Sequence, residues 1–222
     1  MVSRSSQRRS TLSRDAIVDA AVRVADRGGL VDVSMRNVGA ELGATAMALY
    51  HHVANKDEVL DALANWVFTR IELPSGTGPW RPAMAARAAS ARAELSAHPW
   101  ALGLIESRRA PGPDMLRHHD AVLGCLRAGG FGVGLAAHAF SAIDAYVYGF
   151  VLTEVNLPFE AGEQAEEFIG TIRDLIPADR YPHLVEMVTD QVVGGGYDYG
   201  DEFGFGLDLV LDGLEARLAT QH

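Results

Sequence analysis

Apolar residues recur at helical spacing along most of the chain, and this pattern limits the fold to helices. The first such segment, residues 13–28, repeats at three- and four-residue steps through Ile17, Ala20, Ala21, Val24 and Ala25. A helix that buries one face has this period, whereas a strand alternates between apolar and polar residues. No alternating segment of any length occurs. The pattern therefore predicts an all-α protein.

Glycine and proline divide the chain into helical segments and mark one domain boundary. We predict helices over 13–28, 34–42, 45–52, 56–72, 80–97, 100–108, 113–128, 133–155, 163–175, 180–192 and 201–219. Two prolines and two glycines fall within residues 74–79, the strongest break in the pattern. The predicted domains are a disordered basic arm (1–12), an N-terminal domain of three helices and a longer fourth helix (13–72), and a larger helical bundle (80–222).

Residues 34–50 have the features of a helix-turn-helix, two short helices that meet at a steep angle. Gly39 supplies the small residue that a close approach of the helices needs. Gly43 tolerates the positive φ of the turn. Val38, Leu42 and Leu49 would hold both helices against the first helix of the chain. The outer face of the second helix is then available to the major groove of DNA.

The distribution of charge agrees with a DNA-binding domain at the N-terminus. The formal net charge is −10, yet residues 1–72 contain nine basic and nine acidic residues. The excess of acid therefore lies in residues 73–222. The first fourteen residues have no acid and contain Arg4, Arg8, Arg9 and Arg14. A neutral N-terminal region that begins with a basic arm, followed by an acidic body, is typical of a protein that contacts phosphate, although a solvated tail has the same composition as the arm.

The segment Leu49–Leu60, LYHHVANKDEVL, resembles the signature of the TetR family of transcriptional regulators. That signature has a Leu-Tyr-x-His segment followed by a lysine at the start of the fourth helix. Residues 130–152 and 203–218 are also similar to helices of the tetracycline-repressor class. The resemblance implies a cytoplasmic homodimeric repressor that binds operator DNA and leaves it when a small molecule binds. An activator and a ligand-independent regulator of the same fold are the alternatives.

The resemblance assigns DNA contacts to the second and third helices and to the start of the fourth. Arginine and lysine can bond phosphate or guanine, and helix N-termini attract phosphate. Small and apolar side chains on the third helix would meet base edges. The predicted DNA-contacting residues are Ser34, Arg36, Thr45, Ala46, Met47, Tyr50, His51 and Lys56.

Binding of a pseudo-palindromic operator requires two DNA-binding domains, and so a dimer. The helices at 133–155 and 201–219 are apolar around most of their circumference, which exceeds what one buried face needs. We expect them to form a four-helix interface between two subunits, as similar proteins do. The predicted interface sides carry Ala136, Phe140, Ile143 and Val147 on the first helix, and Phe203, Leu207, Val210, Leu211 and Leu214 on the second.

An effector pocket is predicted between helices of the larger domain, mostly apolar with a few polar groups. Polar residues on one face of the apolar helix 133–155 predict a lined cavity there, and they are His138, Ser141 and Tyr148. The resemblance adds Arg87, Ile105, Arg108, Arg109, Met115, His119 and Val122. The pair Arg108–Arg109 suits either an anionic ligand or a solvated helix end. Likewise, His138 and Tyr148 suit either a lined cavity or an ordinary core.

Two departures from the tetracycline repressors argue against tetracycline as the effector. Those repressors hold the drug through magnesium bound by a histidine and a glutamate, and Ile105 and Thr153 stand at these positions. We therefore predict no metal, no cofactor and a different, largely apolar effector.

An enzyme is the remote alternative. A carboxylate metal site in a helical bundle needs Glu-x-x-His pairs. None occurs, and Glu94 and His98 stand alone at four residues apart. Gly-x-Ser-x-Gly and P-loop motifs are also absent. We predict no catalytic residues, no membrane span, and no internal disulfide because Cys125 is the single cysteine.

Overall fold

The computed structural model describes residues 12–108, 110–158, 168–171, 173, 175–192 and 197–221. These residues contain helices and no strand, which confirms the predicted all-α class. The predicted basic arm lies outside the described residues except for its last position. The helices are α1 (Arg14–Asp32), α2 (Met35–Glu41), α3 (Ala46–Leu49), α4 (Lys56–Arg70), α5 (Trp80–Ala97), α6 (Trp100–Ser107), α7 (Pro113–Ala128), α8 (Val133–Glu154), α9 (Pro182–Met187) and α10 (Glu202–Ala219).

The first four helices each begin at a polar side chain that accepts a hydrogen bond from a backbone amide of the first turn. Such a cap satisfies one of the amides that a helix start leaves unpaired. The capping residues are Ser13, Ser34, Thr45 and Asn55, with N···O distances of 3.2, 3.1, 3.3 and 2.9 Å. The sequence therefore sets these four boundaries locally.

Helix α1 is interrupted at Gly29, which has φ 71° and ψ −177°. The regular helix thus ends at the predicted glycine pair, and a further helical turn reaches Asp32. The side-chain amide of Asn37 donates to the backbone carbonyl of Asp32 at 2.8 Å. This contact joins the end of α1 to α2.

The core of the first three helices contains most of the predicted apolar residues. Ile17, Ala21, Val38 and Leu49 are completely buried. Leu42 is only half-buried, because it is the C-cap of α2 and faces the start of the turn. It contributes less to the core than the sequence pattern predicted.

Helices α5 to α7 belong to the same compact unit as α1 to α4. The unit spans Met1–Gly129, and a second unit spans Gly130–His222. In the first unit, Asp26 of α1 accepts hydrogen bonds from His98 and Trp100, both at 2.7 Å. Because these residues flank Pro99 between α5 and α6, one carboxylate fixes that turn against α1.

The second unit is built around the packing of α8 against α10. Phe203, Leu207, Leu211 and Leu214 form the buried face of α10. The hydroxyl of Tyr146 donates to the carbonyl of Phe203 at 2.8 Å. A glycine one turn later, Gly206, allows the approach, since a Cβ there would lie 2.4 Å from that hydroxyl.

Helix α8 is long and apolar enough to cross a membrane, and it is the one described helix that meets this test. Core helices of soluble proteins also meet it. Asp144, a buried carboxylate in the middle of α8, favours the core assignment because an ionisable group inside a bilayer is costly.

The Asp26 contact predicts a specific loss of stability. Asp26→Ala leaves the indole N–H of the buried Trp100 without its acceptor, and we expect the free energy of unfolding to fall by about 1–3 kcal/mol. Asp19→Ala, at an exposed position of the same helix, is the matched control and should change it by less than about 0.5 kcal/mol. Urea unfolding of both variants measures the difference, and equal effects would contradict the role of Asp26.

Candidate nucleic-acid interface and effector site

Two glycines form the turn between α2 and α3. Gly39 approaches the next segment so closely that a Cβ would lie 2.9 Å from the carbonyl oxygen of Ala44. Gly43 has φ 64°, a conformation that other residues rarely adopt. The amide of Ala44 donates to the carbonyl of Gly39 at 2.8 Å and closes the turn. The predicted roles of both glycines are confirmed.

Glu41 at the end of α2 fixes this helix against α1. Its carboxylate accepts from Arg23 at 2.7 Å and also from Arg27. These bonds hold the pKa of Glu41 below its ordinary value. The two arginines are thereby engaged within the protein, and the opposite side of α2 and α3 remains exposed.

Six of the eight predicted DNA-contacting side chains are exposed. Met47 is 71% exposed and Tyr50 48%, high values for side chains of this size. Arg36, Thr45, His51 and Lys56 are also exposed. Neither Arg36 nor Lys56 forms an ion pair among the described residues. The surface therefore offers two cations, together with polar and apolar side chains, to a ligand.

Two of the eight residues also cap helices. The hydroxyls of Ser34 and Thr45 accept from backbone amides at the starts of α2 and α3. Ser34 and Ala46 are half-buried. A phosphate oxygen is a suitable acceptor for the amides that a helix start leaves unpaired.

The predicted effector residues of the first unit differ widely in exposure. Arg87, Ile105 and Val122 are buried, whereas Met115 and His119 are half-buried. Arg108 forms an ion pair with Asp61 of α4 at 2.6 Å. Its guanidinium thus has a partner within the protein, and ligand binding by Arg108 stays a prediction. Arg109 lies outside the described residues.

The side of α8 that was predicted to form the subunit interface is buried within the protein. It carries Ala136, Ile143 and Val147. His138 and Ser141 are exposed, and Tyr148 is half-buried. A helix that is apolar on every side gives no periodicity from which to choose its buried face. The assignment of those three polar residues to the pocket stays a prediction.

Sequence analysis missed His118, a completely buried histidine on α7. Its Nε2 lies 3.4 Å from Nε of Arg87, which donates to it. Its ring centroid lies 5.3 Å from that of Phe68 on α4. Burial and the positive charge of Arg87 lower the pKa of His118 to about 3. The spacing of His118, Val122 and Cys125 on one helical face was the signal that could have predicted its burial.

Asn65 of α4 was also missed, and it provides the cap that α7 lacks. Gly112 precedes α7 and has no side chain to cap it. The side-chain oxygen Oδ1 of Asn65 accepts a hydrogen bond from the backbone amide of Asp114 at 2.8 Å. Beside this contact lies a cavity of about 460 Å³ between α1, α4 and the start of α7. Nothing local in the sequence indicates a cap supplied by a residue almost fifty positions away.

The described residues do not fit the magnesium site of the tetracycline repressors. Ile105 is a buried apolar side chain without a donor atom. Thr153 uses its hydroxyl to donate to the carbonyl of Gly149 at 3.0 Å. In the part of the chain that the structure describes, no three His, Cys, Asp or Glu side chains are grouped to hold a metal ion.

Comparisons with known proteins agree with this arrangement of helices. A family model described as bacterial regulatory proteins of the tetR family matches residues 17–63, and a tetracyclin repressor-like C-terminal domain model matches residues 74–218. The chain is 35% identical to the HTH-type transcriptional repressor DrrR1 of Streptomyces coeruleorubidus, over 95% of this chain and 80% of that protein. It is 31% identical to the class C tetracycline repressor of Escherichia coli, over 94% of both.

A solved structure is similar along almost its whole length. It is the Streptomyces coelicolor TetR family protein ActR in complex with actinorhodin, with a TM-score of 0.75 and 27% identity. The match covers 94% of this chain and 99% of that chain. Together, these comparisons confirm the family that residues 49–60 indicated.

The lowered pKa of His118 predicts a change in the pH dependence of stability. The unfolded imidazole binds a proton below its ordinary pKa of 6.5, whereas the folded one does so only near pH 3. Stability should therefore fall as the pH drops from about 6.5 towards 3, by at most about 1.4 kcal/mol per pH unit from this residue. His118→Leu should reduce this slope in urea unfolding between pH 6.5 and 4. His138→Gln, which removes an exposed imidazole, is the control, and equal slopes for the two variants would contradict the prediction.

Proposed function

The chain belongs to the tetR family of bacterial regulatory proteins, and from this premise we propose that it is a homodimeric repressor released from its operator by a small molecule. The observation that carries the proposal is the exposed surface of α2, α3 and the start of α4 beside the Gly39–Gly43 turn. The operator is chromosomal DNA, so we place the protein in the cytoplasm.

Base recognition is assigned to the exposed side chains of α3. Met47 extends into solvent from the first turn of this helix and suits contact with a thymine methyl group. The hydroxyl of Thr45 serves as a cap, which leaves its methyl group and remaining lone pair for a base edge. Ala46 adds a small surface between them.

Phosphate contacts are assigned to groups around α3. Arg36 and Lys56 supply positive charge, and Tyr50 and His51 supply hydrogen-bond donors. The start of α2 at Ser34 adds backbone amides. Contacts of this kind set position and affinity, whereas base contacts set sequence preference.

The dimer is assigned to apolar side chains that α8 and α10 leave exposed. Leu152 of α8 is 57% exposed, and Phe205 and Leu209 of α10 are 68% and 59% exposed. Phe205 and Leu209 lie one turn apart on the side of α10 opposite its buried leucines. An exposed apolar surface of this kind marks an interface. In a dimer, two DNA-binding domains about 34–36 Å apart match successive turns of the major groove.

The effector is assigned to the region of α5 to α7 that contains Arg87, Met115, His119 and Val122. Because Phe68 of α4 contacts His119 at 5.6 Å, a ligand in this region reaches the helix that begins at Lys56. A ligand releases the operator if it binds better to the conformation that does not fit DNA.

A gel-shift titration with DNA from upstream of the gene tests the proposal directly. Binding that survives non-specific competitor DNA is the expected result. A fragment bound in this way then serves to screen molecules that release it. Failure to bind any genomic fragment specifically would overturn the proposal.

Lys56→Ala should weaken binding to every DNA sequence equally. Loss of one phosphate contact should also reduce the slope of log affinity against log salt concentration by about one unit. Met47→Ala is the control, because it removes no charge and should change relative affinities among sequences at an unchanged slope. Salt titrations of both variants measure this, and an unchanged slope for Lys56→Ala would contradict the phosphate contact.

Leu209→Glu should dissociate the dimer and weaken operator binding at least about tenfold, because it places a charge in an apolar interface. Leu116→Glu on α7, at a leucine of nearly equal exposure, is the matched control and should remain dimeric. Sedimentation velocity and gel shifts measure the two effects. A dimeric Leu209→Glu variant would rule out this surface.

A further inference from the structure

His118 is a buried polar side chain with one nitrogen atom that no described residue satisfies. The residue is 0% exposed, and its Nδ1 has no hydrogen-bond partner in the described part of the chain. Its other nitrogen, Nε2, accepts the long hydrogen bond from Arg87. An unsatisfied buried group of this kind is rare in folded proteins and calls for a physical explanation.

The contact with Arg87 decides which nitrogen of His118 carries the proton. A guanidinium has only donors, so Nε2 must be the acceptor. A neutral imidazole then carries its hydrogen on Nδ1. The ring is held neutral by burial and by the adjacent positive charge. Nδ1–H is therefore a buried donor directed away from Arg87.

The surroundings of this donor suit an apolar ligand. Phe68 packs against the ring from α4. Val122 and Cys125, one and two turns along α7, are buried on the same face. A mostly apolar lining with a few placed polar groups is typical of small-molecule sites in proteins.

We propose that Nδ1–H of His118 is the polar anchor of the effector site and donates a hydrogen bond to an oxygen atom of the effector. The positive charge beside it at Arg87 favours a carboxylate, a phenolate or a strongly polarised carbonyl as the acceptor. The effector class is thus an apolar, aromatic molecule with an anionic or carbonyl oxygen. This inference deepens the proposed function and rests on it.

Histidine NMR on the full-length protein tests the anchor with three probes of similar size: benzoate, benzyl alcohol and toluene. The Nδ1 resonance of His118 is assigned in ¹⁵N-histidine-labelled wild-type protein by its through-space contacts with the ring protons of Phe68. We expect benzoate to shift the Nδ1–H resonance downfield and to bind at least tenfold more tightly than toluene. Benzyl alcohol should lie between them.

Two variants separate the hydrogen bond from simple packing. His118→Asn keeps an N–H donor near the position of Nδ1 and should retain most of the preference for benzoate. His118→Leu removes the donor and should bind benzoate no better than toluene. The wild-type spectrum decides the question even if a variant fails to fold.

An Nδ1 resonance that benzoate leaves unchanged would mean that a water molecule alone satisfies the donor, and it would overturn the inference. Equal binding of benzoate and toluene by the wild-type protein would overturn it as well. Gel shifts run in parallel keep the two proposals apart. Specific DNA binding with an unresponsive His118 overturns only the anchor, whereas absence of specific DNA binding overturns the repressor proposal.

Discussion

The side-chain amide of Asn65, on α4, holds the start of α7 through two hydrogen bonds. Its oxygen caps α7, and its nitrogen donates to the carboxylate of Asp114 at 2.8 Å. Helix α4 also buries Leu63 and Val67 completely. The helix that begins at Lys56, a proposed phosphate contact, is therefore held by packing and by hydrogen bonds to α7. A displacement of α7 has no way to occur without strain on α4, because close-packed interiors deform little.

Ion pairs within the protein engage several arginines near the proposed DNA surface. Arg23 and Arg27 are engaged by Glu41, and Arg14 lies 3.4 Å from Glu58. Among the described residues of the proposed DNA surface, Arg36 and Lys56 are the cations without an ion pair, and each phosphate contact that they make adds salt-dependent affinity. In the proposed dimer, base contacts and the simultaneous use of two domains add to this attraction. The exposed apolar face of α10 is the surface that the proposal assigns to the pairing of the two subunits.

Structural features that depend on local interactions could be predicted from the sequence. Features that depend on contacts between distant residues could not. Capping residues such as Ser34 and glycines such as Gly43 act on their own turns, so the helices and the turn of the DNA-binding motif could be predicted. The buried face of α8 could not be predicted, because α8 carries apolar residues around most of its circumference. Only its packing against α10 determines which side is buried. Asn65 and Asp26 form their bonds across 49 and 74 positions, for which no local pattern exists. His118 was overlooked because a buried histidine beside a half-buried one gives the same sequence as a solvated pair.

The free energy of the proposed hydrogen bond from His118 is smaller than the free-energy difference that complete release of the operator requires. A bond from His118 to a charged oxygen contributes about 1.5–3 kcal/mol, or roughly one to two orders of magnitude in affinity. Complete reversal of a two-state equilibrium requires a difference of about 5.5 kcal/mol between the two conformations. The remainder must come from apolar contacts that differ between the two conformations, and a ring moved by α4 is suited to provide them. Phe68 is such a ring, since it contacts His118 and lies on α4, the helix that begins at Lys56. In the proposed mechanism, the hydrogen bond selects the ligand, and the packing against Phe68 converts its binding into release.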